Sequence, residues 1–419
     1  MTTGKPPADA AARTSEPARH AYAVLRHRDF RLLWQAEFAS SLGTQMQRVA
    51  IAWLVYDLTG DALRLGVLGL LQFTAVAIVG LFGGVLADRR DRRKLLIGSQ
   101  VSLAGTSGLL ALLAATDRSS LAAIYAITLL ASGLAAIGGP ARQAFIPSLV
   151  PRSEIAGAMS LQILAMQVAT VTGPVVSGWL ISRFSVSPIF ALDSLTFLGV
   201  ASAAFAIRAR PVAVRAEVSA WRAMVEGFSF LRTSRVLVGV MVADFAATFF
   251  GTANVLMPIF ATEILDVGPR GLGFLYASTA TGAVIGSLVM SVATPPRQPG
   301  RAVLMAIAAY GLSVMAFGLS ETFWLSLLLL AMAGASDSVS MALRLTIRNL
   351  VTPDHLRGRV AATHSMLASG GPQLGEFEAG IAASLIGVGP SVAIGGLGTL
   401  LVALLVSVLM PEVRKYRPH

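Results

Sequence analysis

Residues 391–410 read SVAIGGLGTLLVALLVSVLM, twenty positions without a charged side chain. Wound as a helix at about 1.5 Å per residue, such a run crosses roughly 30 Å of hydrocarbon. Working outward from it, comparable stretches recur back to Phe30. Their approximate cores are 32–56, 64–87, 95–115, 121–140, 156–181, 188–207, 236–260, 271–293, 302–319, 322–343, 361–387 and 391–410. The whole 419-residue chain is 55% hydrophobic and only 13% charged, about half the charge of a soluble domain. A water-exposed globular fold is therefore excluded. The pattern predicts an all-α membrane protein with twelve transmembrane helices.

The net charge of +11 would suggest a nucleic-acid partner in a soluble protein, but its distribution gives another reading. Basic residues gather in the tail up to Arg31, at Arg89 to Lys94, at Arg142 and Arg152, between Arg208 and Arg235, at Arg297 and Arg301, at Arg344, Arg348, Arg357 and Arg359, and after Arg414. If each of these lies in a connection, all fall on one side; Arg64, Arg118, Arg183 and Arg270 fall opposite, and Arg48 lies inside a span. Because Lys and Arg are retained on the cytoplasmic side, both termini are expected to be cytoplasmic, and nucleic acid is not an expected partner. Cysteine is absent, which excludes disulfides and thiolate chemistry. The three lysines, Lys5, Lys94 and Lys415, follow no G-x-x-x-x-G run, so no P-loop is present, and neither HExxH nor GxSxG occurs. No enzyme activity, metal or cofactor is expected.

Residues 1–29 form a polar cytoplasmic tail without the apolar stretch of a cleaved signal. The longest later polar interruption, 208–235, divides the chain into six-span bundles at 30–207 and 236–411, followed by a short tail at 412–419. Within that linker Trp221, Met224, Val225, Phe228 and Leu231 fall at helical spacing and Arg222 sits four residues before Glu226, as in an amphipathic helix on the inner membrane surface. A shift of 202 residues superposes Arg142 on Arg344, Pro151 on Pro353, Gly173 on Gly375 and Gly178 on Gly380, and places Gly84 on Gly286. Parallel halves related by a pseudo-twofold axis along the membrane normal would produce such a repeat.

Gly84-Val-Leu-Ala-Asp88-Arg89-Arg90-Asp91-Arg92-Arg93 resembles the G-x-x-x-D-R-x-G-R-R signature of the major facilitator superfamily, with Asp91 where Gly is usual. Gly173-Pro174-Val-Val-Ser177-Gly178 is similar to the antiporter motif G-P-x-x-G-G of that superfamily. FRLLWQAEFASSLGTQMQRVAIAWLVYDLTG, GPARQAFIPSLVPRSEIAGAMS, TPDHLRGRV and LGEFEAG resemble the enterobactin-exporter-like branch of bacterial drug and siderophore exporters. The resemblance covers roughly residues 26 to 415 and implies two six-helix bundles in the bacterial inner (plasma) membrane. It also implies a cytoplasmic gate built on Gly84, Asp88, Arg89, Arg92 and Arg93. Arg92 and Arg93 could meet a helix C-terminus or acidic lipid head groups. Pro174, flanked by Gly173 and Gly178, should bend and thin its helix at a packing seam.

A carboxylate at the bilayer centre costs roughly 2.5–3.5 kcal/mol on insertion scales, so each intramembrane ionisable residue is a candidate for substrate or proton binding. In the first span Glu37, Ser41, Thr44 and Arg48 form one polar stripe, expected to face a central cavity, with Glu37 and Arg48 too far apart along the helix to touch. The seventh span carries Asp244, with Asn254 nearer its outer end. Asp337 in the tenth, with Arg344 seven residues on along the same face, is either a proton site or the structural ion-pair partner of an arginine of the gate region. Glu376 and Glu378 in the eleventh stand about 200° apart around the helix, so one cavity cannot take both. Asp193, at the start of the sixth span, reads as a packing residue. The fourth span shows no arginine within its apolar core, where many proton-coupled relatives carry one. The reading is a monomeric exporter of small amphipathic molecules, siderophore or drug-like, working by alternating access in exchange for protons among membrane lipids. Uptake or flipping of a metabolite or lysophospholipid on the same fold, and a non-transporting receptor, are the alternatives.

Overall fold

The computed structural model describes residues 24–87, 92–207, 228–232, 234–252, 254–294 and 296–417. Asp88 and Arg89 of the gate motif, and 208–227 of the linker with its proposed amphipathic face, lie outside them. Among the described residues the long helices are α1 (Arg28–Thr59), α2 (Ala62–Ala87), α3 (Arg92–Ala115), α4 (Leu121–Phe145), α5 (Ile155–Arg183) and α6 (Ser187–Ala206), then α7 (Arg235–Gly251), α8 (Gly268–Val292), α9 (Pro299–Gly318), α10 (Phe323–Val351), α11 (Arg357–Ile386) and α12 (Val388–Leu409). Ten of them are long and apolar enough to cross a membrane. The other two, α1 and α11, have the length but carry more polar and ionisable residues than the rest.

Local chemistry sets the helix ends. Gly60 takes the left-handed conformation at φ 58° and its amide donates to the Tyr56 carbonyl at 2.7 Å, closing α1. Ser120 and Ser234 accept from backbone amides three residues on and open α4 and α7. Pro188, Pro269 and Pro299 sit in the first turns of α6, α8 and α9, where a missing N–H is harmless. Outward faces are apolar: Leu385, Trp324 and Phe205 are 78%, 76% and 75% exposed, as suits side chains that meet hydrocarbon.

The seventh apolar stretch, read above as one span over 236–260, is not one helix. It stops at Gly251, resumes in a 3-10 turn at Asn254–Leu256 and ends in a π-helical turn at Phe260–Ile264. The chain accommodates the break because freed groups find partners. The Tyr310 hydroxyl donates to the Gly251 carbonyl at 2.8 Å, the Tyr276 hydroxyl to the Asn254 carbonyl at 2.7 Å, and the Thr252 hydroxyl to the Thr248 carbonyl.

At the end remote from the termini one hydrophobic core draws on both halves, uniting Leu54, Leu65 and Phe190 with Leu256, Phe260 and Phe317. Toward the termini each half has its own core, around Phe30, Leu33, Leu96 and Phe145 in one and Val240, Val303, Leu343 and Val413 in the other. Among the described residues the long helices meet most extensively across the halves at two seams, α2 against α11 and α5 against α8. Both seams use small residues, which let backbones approach closely where no hydrophobic force drives helices together. Gly66 lies against Gly380, and Gly178 against Pro269 and Gly273.

The 202-residue repeat has a matching geometry. Gly173 of α5 packs on Leu42 and Gln45 of α1, and its equivalent Gly375 of α11 packs on Thr248 and Phe249 of α7. Gly178 and its equivalent Gly380 each sit on a cross-half seam.

Candidate functional site

Several arginines assigned above to connections are in helices, among them Arg142 and Arg344. Arg142 lies in the last turn of α4, and Arg344 lies inside α10, 5% exposed; Arg348 follows within α10 as well. Each of the first two finds a carboxylate on the first helix of its half. Arg142 Nη1 is 3.2 Å from Glu37 Oε2, and Arg344 Nη2 is 2.9 Å from Asp244 Oδ1. The two arginines are the residues that the 202-residue shift superposes, so the repeat extends to an α1–α4 ion pair and its α7–α10 counterpart. Arg344 also lies 3.7 Å from Asp337 Oδ1 and donates to Ser340 Oγ at 2.9 Å. Asp337 is thus an ion-pair partner of Arg344. The fourth helix does contain a charged arginine after all; sequence reading missed it because the helix runs beyond its apolar core.

Glu37 is 1% exposed and does not look onto a cavity, which corrects the view of the whole first-helix stripe as cavity-facing. With its carboxylate replaced, Arg142 loses its counter-ion in a partly buried position. Glu37→Gln should lower stability by roughly 1–3 kcal/mol, and Arg142→Met in the same molecule should recover part of that loss in thermal unfolding.

Arg48, three turns along α1 from Glu37, is exposed. Glu376 lies on the α2–α11 seam, where Gly69 leaves it room: its Oε2 is 3.1 Å from where a side chain on Gly69 would begin. Tyr276 bonds the Asn254 carbonyl, and the Asn254 residue itself is exposed. Arg48, Glu376 and Tyr276 sit on α1, α11 and α8, and all three helices pack on the 254–259 segment that carries Asn254. Such a group can pair a charge, exchange a proton and donate or accept hydrogen bonds to a polar ligand. Tyr276 was not singled out from the sequence; its signal was a hydroxyl-bearing aromatic in an apolar, glycine-rich span, which needs a partner when buried.

Glu378, on the far side of α11 from Glu376 as its spacing requires, lines an apolar cavity of about 430 Å³ with Phe249, Leu374, Phe377, Ile381 and Leu385. Asp193 is fully buried and accepts from Ser107 at 2.8 Å, and Ser107 in turn accepts from Gln47 at 2.8 Å. Of the gate motif, Gly84 lies in α2 and Arg92 opens α3, while Arg93 donates to the Ala204 and Phe205 carbonyls at 2.9 and 2.5 Å. It closes the C-terminus of α6, where a cation opposes the negative end of the helix dipole. Pro174 and Gly178 pack against Gly273 of α8. Ser177, which stands where the motif usually has Gly, donates to the Met46 carbonyl at 3.0 Å and fastens α5 to α1.

A family model for transmembrane secretion effectors matches residues 19–416. The chain belongs to that family. This chain is 25% identical over 395 residues to the enterobactin exporter EntS of Citrobacter koseri, covering 93% of this chain and 94% of that protein. It is 26% identical, with the same coverage, to EntS of Escherichia coli. Its fold resembles the nucleoside transporter NupG, with a TM-score of 0.74 at 12% identity over 90% of this chain and 100% of the other. A bacterial homologue of the human lysosomal transporter Spinster gives 0.71 at 15% identity over 97% and 100%. A bacterial homologue of the iron transporter ferroportin gives 0.69 at 14% over 93% and 99%. The chain thus has the major facilitator fold and is a multi-pass membrane transporter rather than an enzyme.

Proposed function

We propose that this transporter exports small amphipathic molecules, siderophore or drug-like, across the bacterial inner membrane by alternating access, in exchange for protons. All twelve helices cross the bilayer, both termini are cytoplasmic, and one chain is the working unit. The observation that carries this reading is the Arg48–Glu376–Tyr276–Asn254 group, built from both halves at the level where they part into separate cores. A ligand between the halves touches both, so its binding can bias which ends stay together. Glu376 is the proton-exchanging carboxyl of this scheme, with Arg48 as the competing charge and the polar contact for an acidic or catecholate substrate. Names of the EntS relatives favour a siderophore.

Transport by purified protein in liposomes under an imposed pH gradient, using a catecholate siderophore and a fluorescent cationic dye, tests this. Gradient-driven flux should fall at least about tenfold in Glu376→Gln and in Arg48→Gln. Flux that ignores the gradient would remove proton exchange from the scheme. Folded protein that moves neither compound would remove the export reading itself.

A further inference from the structure

A second site lies well away from this group, at the end of the molecule that carries the termini, and it does not depend on the export reading. The short helix Pro411–Lys415 folds back on the start of α9, where Gly300 has its backbone directly against the Val413 carbonyl and the Tyr416 side chain. Arg235 holds that segment through Glu412 at 2.9 Å. The packing brings Arg417 to a cavity of about 840 Å³ whose other walls are Pro296, Arg297, Gln298, Arg301, Ala302 and Met305. Among the described residues no acidic side chain lines this cavity. Glu412, the acid nearest in sequence, is engaged elsewhere: its own backbone amide and then Arg235 hold its carboxyl below the usual carboxylate range.

The cavity is also graded in polarity. Three guanidiniums stand toward the end of the chain, and along α9 the lining passes to Ala302 and to Met305, which is 61% exposed. At the start of α9 the N-cap Gln298 makes no side-chain bond, so the Gly300 and Arg301 amides of the first turn lack that cap. Unopposed cations above an apolar helix face match a molecule with an anionic head and an acyl tail. We infer that this cavity binds the headgroup of an anionic phospholipid, with Arg297, Arg301 and Arg417 on the phosphate and its chain along Ala302 and Met305.

The test is binding of fluorescent diphosphatidylglycerol to the purified full chain in neutral detergent. The double substitution Arg301→Gln/Arg417→Gln should weaken binding about thirtyfold, and Arg417→Gln alone about fivefold. The double substitution Arg118→Gln/Arg183→Gln, at exposed arginines of the opposite end, should leave it unchanged. Phosphatidylcholine should not compete, and inorganic phosphate should compete only weakly. Equal losses in the two double variants would reduce the effect to general charge attraction and overturn the site. Full displacement by millimolar phosphate would assign the cavity to a free anion and overturn the lipid. The single Arg417→Gln change sits beyond the last helix and keeps the test readable if the double variant is poorly folded.

Discussion

Arg344→Gln should be the most destabilising single substitution among the charged residues, lowering stability by roughly 3–5 kcal/mol in thermal unfolding of the detergent-solubilised protein. Arg344 is almost fully buried and serves Asp244, Asp337 and Ser340 together. Taking it away leaves Asp244 without a counter-ion in a low-dielectric interior, and that uncompensated charge is the main cost. Arg344→Lys should recover little, because a single ammonium on a flexible stem cannot reach two carboxylates on two helices with the fixed geometry of a guanidinium. Asp244→Leu combined with Arg344→Met should recover much of the loss, since replacing both charges removes the desolvation penalty along with the attraction. Unchanged unfolding of Arg344→Gln would show that the α7–α10 pair does not hold this half together.

The second large effect is expected at the α5–α8 seam. Gly273 faces the Pro174 carbonyl, and Gly178 faces the Pro269 carbonyl, with no space for a side chain at either position. Gly273→Leu puts a side chain where backbone must yield, so the seam has to open. Spin labels at Arg118 and Glu321, exposed residues of opposite halves, should report a longer separation, and transport should fall at least about tenfold. The individual halves should remain intact, since Gly273 meets the other half rather than its own neighbours. A label distance that does not move, with transport preserved, would mean that the two helices can slide apart and re-form contact without function depending on it.

The sequence carried more of the fold than of the site. Most of the membrane-length apolar stretches coincide with long helices, because hydropathy is a local property of the chain. The repeat was legible through Arg142, Gly173 and Gly178, since positions under the same packing constraint in each half keep the same residue. Arg142 and Arg344 were misplaced for a physical reason. Sorting charges by side of the membrane treats each arginine as a loop marker, while a helix keeps an arginine when a carboxylate on another helix meets it. That partner lies over a hundred residues away in one case and a hundred in the other. The break after Gly251 was hidden because apolarity is continuous through 236–260, although Gly251 and Pro258 were its punctuation. Glu376 and Glu378 were separable by spacing alone, but only the packing of α11 against Gly69 distinguishes the one on the seam from the one outside it.

The kinds of bond that join this molecule differ by location. Guanidinium–carboxylate pairs lie inside each half, at Glu37–Arg142 and Asp244–Arg344. Across the halves, the polar ties among the described residues are made through hydroxyls: Tyr56 donates to Glu263 at 3.1 Å and accepts from Thr262 at 2.7 Å, and Arg270 donates to Ser182 at 2.9 Å. Hydroxyl bonds of this sort exchange readily with water, whereas separating a buried ion pair leaves a bare charge behind. A rocking motion that parted the halves at this end would therefore leave each bundle's interior electrostatics untouched. Tyr56, on the first helix of one half and bound to the irregular segment after α7 of the other, therefore marks a tie between the halves that can be undone without stranding a charge.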